Sequence, residues 1–149
     1  MSDFFDVLII IFLSIFPISE LRGAIPLGIS LGLSPLFVFL ISIFFNSIIF
    51  FPIYFGLDLL YERFFCRFDF VRKILKRIEK KRKKIDKYGY LGLVFFVAIP
   101  APFTGAYTAS VLAWLLRLNW KKSFLAISFG VVIAGIVVSL FTLGIINLF

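Results

Sequence analysis

Apolar positions gather into five runs, 4–16, 24–33, 35–57, 90–116 and 123–149, with very few charges inside them. Length sorts these runs. A helix needs about 20 apolar residues to cross roughly 30 Å of hydrocarbon, so 35–57 and 123–149 are predicted to span a membrane. The run 4–16 is too short, because thirteen helical residues reach only about 20 Å. The run 90–116 is long enough but is cut by Pro100 and Pro102. A short apolar helix, a break and another short apolar helix predict a re-entrant hairpin, which enters and leaves by one face. The breaks fall at 17–23 and 100–105.

The two halves follow one plan. Pro17 pairs with Pro100, and Phe39-Leu40 with Phe124-Leu125. Ala24, Gly28 and Gly32 recur every four residues, and Gly105, Ala109 and Ala113 repeat that spacing in the second half. Small residues at i, i+4 and i+8 make a flat stripe that allows a second backbone to come close. The predicted fold is an all-α integral membrane protein of two inverted repeats. Each repeat is a re-entrant helical hairpin plus a transmembrane helix. The first repeat covers 1–57 and the second 90–149, joined by a basic amphipathic cytoplasmic helix over 58–89, and 1–149 forms a single membrane domain.

Composition agrees: 62% of residues are hydrophobic and the mean hydropathy is +1.09, against roughly 45–50% apolar content in soluble domains. Charge is concentrated. Twelve Lys/Arg and four Asp/Glu lie within 62–87 and account for the whole net charge of +8. Under the positive-inside rule this segment faces the cytoplasm. The first span then ends inside, the last span ends outside, and both termini are outside. Phe64, Phe68, Val71, Leu75, Ile78 and Ile85 form an apolar stripe along the basic segment, which predicts a helix lying on the membrane surface. Lys80, Lys81, Arg82, Lys83 and Lys84 would anchor it to anionic lipid headgroups. Dimerisation through the stripe is the other reading. A basic cluster also suits nucleic acid, but in a chain so dominated by membrane segments nucleic acid is not an expected partner.

There is one cysteine, Cys66, and no histidine. Zinc, haem and copper sites built on Cys/His ligands within one chain are excluded, as are histidine-dependent triads. No cofactor, metal or catalytic residue is expected. The candidate chemistry sits at the breaks. Glu20 and Arg22 are the only charges between Asp6 and Asp58, and each would cost about 2.5–3.5 kcal/mol at the centre of an isolated membrane helix. Ionisable residues inside a membrane are functional candidates by default. Glu20 could carry a proton, and Arg22 could hold an anionic group or the Glu20 carboxylate. The structural alternative has Ser19 or Glu20 capping the helix that follows, with Arg22 neutralising Glu20 or binding backbone carbonyls. Gly23 closes this tip. At the second tip, rich in breakers and ending at Gly105, Pro100 and Pro102 free nearby carbonyls and Thr104 offers a hydroxyl, so polar groups could bind there; a bare helix reversal is the alternative. Asn46, mid-way along the first span, is expected either to hydrogen-bond another helix or to touch substrate.

The residues 19–28, Ser-Glu-Leu-Arg-Gly-Ala-Ile-Pro-Leu-Gly, resemble the signature of the small multidrug export proteins. The run 87–100 ending in Pro100, followed by Pro102 and Thr104-Gly105-Ala106, matches the same family. The resemblance implies a bacterial or archaeal inner-membrane protein of about this size. A more distant similarity to the DedA-like superfamily implies paired re-entrant hairpins and proton-dependent lipid movement. Those proteins generally carry arginines at the second tip and this chain has none, so a lipid phosphate would rest on Arg22 and the backbone. The expected function is a small transporter or lipid translocase, with a lipid or small molecule as substrate and a size compatible with a homodimer. The alternatives are a membrane-embedded lipid phosphatase-like enzyme, for which the chain lacks histidine and further tip carboxylates, and a non-catalytic membrane scaffold.

Overall fold

A computed structural model describes residues 2–64, 67–99, 101 and 104–148. Cys66, Pro100 and Pro102 lie outside them. Among the described residues the regular structure is all α-helical, with helices α1 (Ser2–Ile15), α2 (Glu20–Ser30), α3 (Pro35–Ile48), α4 (Phe50–Arg63), α5 (Asp69–Lys80), α6 (Arg82–Ala98), α7 (Ala106–Leu115) and α8 (Trp120–Leu148).

Two apolar rods are long enough to cross a membrane, Pro35–Arg63 and Trp120–Leu148, each of 29 residues. The first is α3 followed directly by α4. Its ladder falters at Ile49 because Pro52 has no N–H to offer the carbonyl of Ile48. Pro35 opens the rod at N1, where a missing N–H costs nothing. Both rods run beyond the limits read from hydropathy, since helix geometry continues into polar ends that hydropathy discounts.

The shorter helices α2 and α7 end in the same way. At the end of α2 the Leu33 N–H donates to Gly28 O at 3.2 Å and the Gly32 N–H to Ile29 O at 3.0 Å, with Gly32 at φ +84. At the end of α7 the Leu118 N–H donates to Ala113 O at 3.0 Å and the Arg117 N–H to Trp114 O at 2.9 Å, with Arg117 at φ +51. Each is a Schellman cap with a left-handed residue just past the helix, and each stands shortly before a long rod. This match shifts the small-residue register by one turn: Ala24 answers to Ala109 and Gly28 to Ala113, while Gly32 answers to Arg117. Spacing alone slid the stripe along the helix, because small residues recur at each turn of α7.

Helix α1 packs on α2 and α3, α6 packs on α7 and α8, and the two rods meet through α3 and α8. A Cβ on Gly28 would stand 2.6 Å from Val38 and 2.8 Å from Ile10, so α2 lies tightly between α1 and α3. Gly130 does the same for α8 against Val97 and the Val94 carbonyl of α6. Phe50 is fully buried between the rods, among Phe51, Tyr54 and Phe124. The outside is equally apolar: Phe12, Phe44, Phe95, Phe129 and Phe141 all project from the surface. Large apolar side chains both inside and out require hydrocarbon around the protein.

The basic linker differs from the single helix expected over 58–89. It is shared among α4, α5 and α6, with a break at Lys81. The break lies inside the unbroken cation run 80–84, where like charges three and four residues apart oppose helix continuation. Helix α6 therefore begins well before the apolar run at 90. Of the predicted stripe, Leu75 is buried and Val71, Ile78 and Ile85 are half-buried, while Phe64 and Phe68 are exposed.

Candidate functional site

The turn after α1 brings a carboxylate into the interior. Ser19 precedes α2, but its hydroxyl donates backward to Leu13 O at 2.8 Å and leaves the helix uncapped. Glu20 follows at φ +46, a left-handed conformation that costs an L-residue about 1–2 kcal/mol. That backbone turns its side chain away from α2, and it is only 7% exposed. The carboxylate lies against Gly105 and faces the first amides of α7, those of Ala106 and Tyr107. Glu20 thus stands at the N-terminus of the other half's helix, where free amides and the positive end of the dipole favour a carboxylate. Gly105 makes this approach possible, since a Cβ there would lie 2.0 Å from a Glu20 oxygen.

Arg22, half-buried one residue beyond Leu21, meets acceptors instead. Its guanidinium donates to Ala101 O and Thr104 O, to Ile99 O at 3.3 Å, and to Thr104 Oγ1 at 3.1 Å. The Ile99 and Ala101 carbonyls also accept the backbone N–H groups of Ala101 and Thr104, at 2.8 and 3.2 Å, so the guanidinium is a second donor to each. Thr104 Oγ1 lies 2.7 Å from Ile99 O and 2.8 Å from Ala101 O, so its single proton serves one of them at a time. The contact is reciprocal: the Tyr107 hydroxyl donates to Ile15 O at the end of α1. Each break is held by a side chain from the other.

Glu20, Arg22, Thr104 and Gly105 therefore meet at one site. They line a cavity of about 160 Å³ with Pro17 and Thr108. Gly23 tightens the first turn, where an added Cβ would come 2.8 Å from Ser19 Cβ. Pro100 and Pro102 are expected site residues that fall outside the described ones. Asn46 is elsewhere: fully buried, it donates to Ser14 O at 3.2 Å near the end of α1, and its Oδ1 has no hydrogen-bond partner. Lys80, Lys81, Lys83 and Lys84 are exposed around the α5–α6 break, with Arg82 opening α6. Tyr107 escaped the sequence reading. Its signal was positional, since it stands in the second half where Arg22 stands in the first.

A second feature opens from the same guanidinium. An apolar groove of about 450 Å³ runs between α2 and the far end of α8, from Arg22 past Pro26 and Ser30 to Val138, Phe141 and Ile145.

A carboxylate and a guanidinium clasping two helix breaks, inside a helical body with an apolar exterior, define a membrane protein with a polar centre. The chain belongs to the family described as "Putative small multi-drug export protein", whose profile matches residues 20–137 and so begins at Glu20 itself. No curated protein and no solved structure matches the chain.

Proposed function

We propose that this protein is a small multi-pass membrane transporter or lipid translocase in which protonation of Glu20 opens the contact between the two breaks. The observation that carries this reading is the clasp itself. The Glu20 carboxylate faces the first amides of α7, and Arg22 sits on the carbonyls of Ile99, Ala101 and Thr104. Hydrogen bonds to a charged acceptor are roughly twice as strong as neutral ones. A proton on Glu20 would weaken its hold on Ala106 and Tyr107 and let the breaks separate. Arg22 would then be free to exchange carbonyls for an anionic group on the cargo. The groove that ends at Arg22 suits a cargo with an apolar body and a polar end. No bond of the cargo needs to break, so the site works by binding and release and not as an enzyme.

In this reading α1–α2 and α6–α7 are re-entrant hairpins entering from opposite faces, and each forms an inverted repeat with the rod that follows it. The matched Schellman caps and the equal rods support that arrangement. The run 80–84 faces the cytoplasm of a bacterial or archaeal inner membrane and rests on anionic headgroups, with both termini outside. A second copy of the chain is compatible with this placement.

Flux of fluorescent lipids and of amphiphilic dyes in proteoliposomes, with and without a pH gradient, tests the proposal. Glu20→Gln, which imitates the protonated state, should move cargo without responding to the gradient. Arg22→Ala should lower flux about tenfold or more, the scale of losing one charged hydrogen bond of about 1.5–3 kcal/mol. Wild-type, gradient-dependent flux in both variants would end the reading.

A further inference from the structure

At the other end of the molecule α4 and α7 enclose a pocket of about 270 Å³ lined by Tyr54, Asp58, Trp114 and Arg117. Its parts are held from several sides. Trp114 Nε1 donates to Asp58 Oδ1 at 3.3 Å, joining the two helices. The Tyr54 hydroxyl donates to Leu118 O at 2.7 Å and so pins the residue after Arg117. The Arg117 guanidinium lies 5.4 Å from the centre of the Tyr61 ring, which is itself edge-on to Trp114 at 5.7 Å. Asp58 and Arg117 are both exposed to the pocket mouth. The pocket thus presents a carboxylate from α4, a guanidinium from the end of α7 and an aromatic side chain from each.

The backbone of Arg117 is the second observation. The matching cap on α2 uses Gly32 at φ +84, the residue such a cap favours. Here the same cap carries a large cation at φ +51. Nothing in the cap needs a guanidinium, because its two hydrogen bonds are made by backbone N–H groups. A strained residue standing where glycine would fit more easily is a reason to look for what its side chain does.

We infer that this pocket binds a zwitterion bearing an ammonium and a phosphate, as in the headgroup of an ethanolamine phospholipid or free glycerophosphoethanolamine. The ammonium meets Asp58 and the aromatic faces, and the phosphate meets Arg117, whose planar fork matches phosphate oxygens. The surroundings place the pocket at headgroup depth. Lys121 lies over Trp120 at 5.5 Å and Lys122 over Tyr90 at 5.9 Å, the aromatic and cationic company of a membrane interface. The site is separate from the Glu20 clasp, and its occupancy is measurable in a protein that transports nothing.

Trp114 reports on the pocket once Trp120 is replaced by Phe. The purified protein is titrated in nanodiscs with ethanolamine or glycerol phospholipid, and in detergent with glycerophosphoethanolamine. The expected result is a saturable change in Trp114 emission with the ethanolamine lipid, weakened about tenfold or more in both Asp58→Asn and Arg117→Gly. A like response to the soluble zwitterion shows that the headgroup alone suffices; a response to lipid only shows that the bilayer presents it. Arg117→Gly keeps the cap, so its folding is not in question. Equal response to the glycerol lipid, or unchanged titrations in both variants, overturns the inference.

Discussion

A methyl group at position 105 would have to occupy space already filled by the Glu20 carboxylate, 2.0 Å from the nearest oxygen. Gly105→Ala should therefore destabilise the protein by about 1–3 kcal/mol, the usual scale of overpacking. In a Glu20→Ala background most of that cost should vanish, because the colliding atoms are gone; thermal unfolding of the four variants in detergent measures the coupling. Additive losses would mean that the two residues do not share the space. Arg117→Gly should behave in the opposite sense, gaining about 1 kcal/mol as the left-handed strain is relieved. At this scale the sequence was informative where charge was scarce. Glu20 and Arg22 stood out because almost nothing else in the apolar runs is charged. Their partners did not, since Glu20 is held by backbone amides and Arg22 by backbone carbonyls, and every residue carries both. Asp58 and Arg117 looked like ordinary ends of apolar runs, and only folding places them in one pocket.

Glycines divide the helices into places that touch and places that do not. Gly130 has the Val94 carbonyl of α6 at 2.9 Å from where a Cβ would be, so Gly130→Ala must push α8 off α6. Gly56 and Gly144 have nothing within 4 Å. Alanine at either should be neutral or stabilising by up to about 1 kcal/mol through helix propensity. Unfolding midpoints of Gly130→Ala, Gly56→Ala and Gly144→Ala in one detergent test this, and a similar loss for all three would remove close backbone packing as the explanation. The long rods and the places of the breaks were legible because length and proline act locally, but the first break is shorter than the 17–23 read from sequence, since 20–23 already belong to α2. The basic linker was not. Its apolar stripe spans 64–85, but the chain bends at Lys81 inside the cation run, and hydrophobic period carries no information about where a helix changes direction. The register of the small residues was lost for a related reason, since a four-residue spacing fits equally well one turn away.

Over the whole molecule the two halves differ in chemistry while agreeing in outline. The groove beside α2 is apolar and ends at Arg22; the pocket beside α7 is polar and holds Asp58 and Arg117. If the halves are inverted in the membrane, these two openings face opposite sides, with the Glu20 clasp and its small cavity between them. A barrier flanked by two openings is what alternating access requires of a transporter. Which side each opening faces follows from where the links between helices emerge, and those are reachable. In a Cys66→Ser background, single cysteines at the exposed positions Ser34, Lys83 and Lys121 can be challenged with a membrane-impermeant maleimide in intact cells. Ser34→Cys should label from outside. Lys83→Cys and Lys121→Cys should label only after permeabilisation, because cations are retained on the cytoplasmic side. Labelling of all three from one side would put both openings on the same face, and Glu20 would then guard a binding site and not a passage.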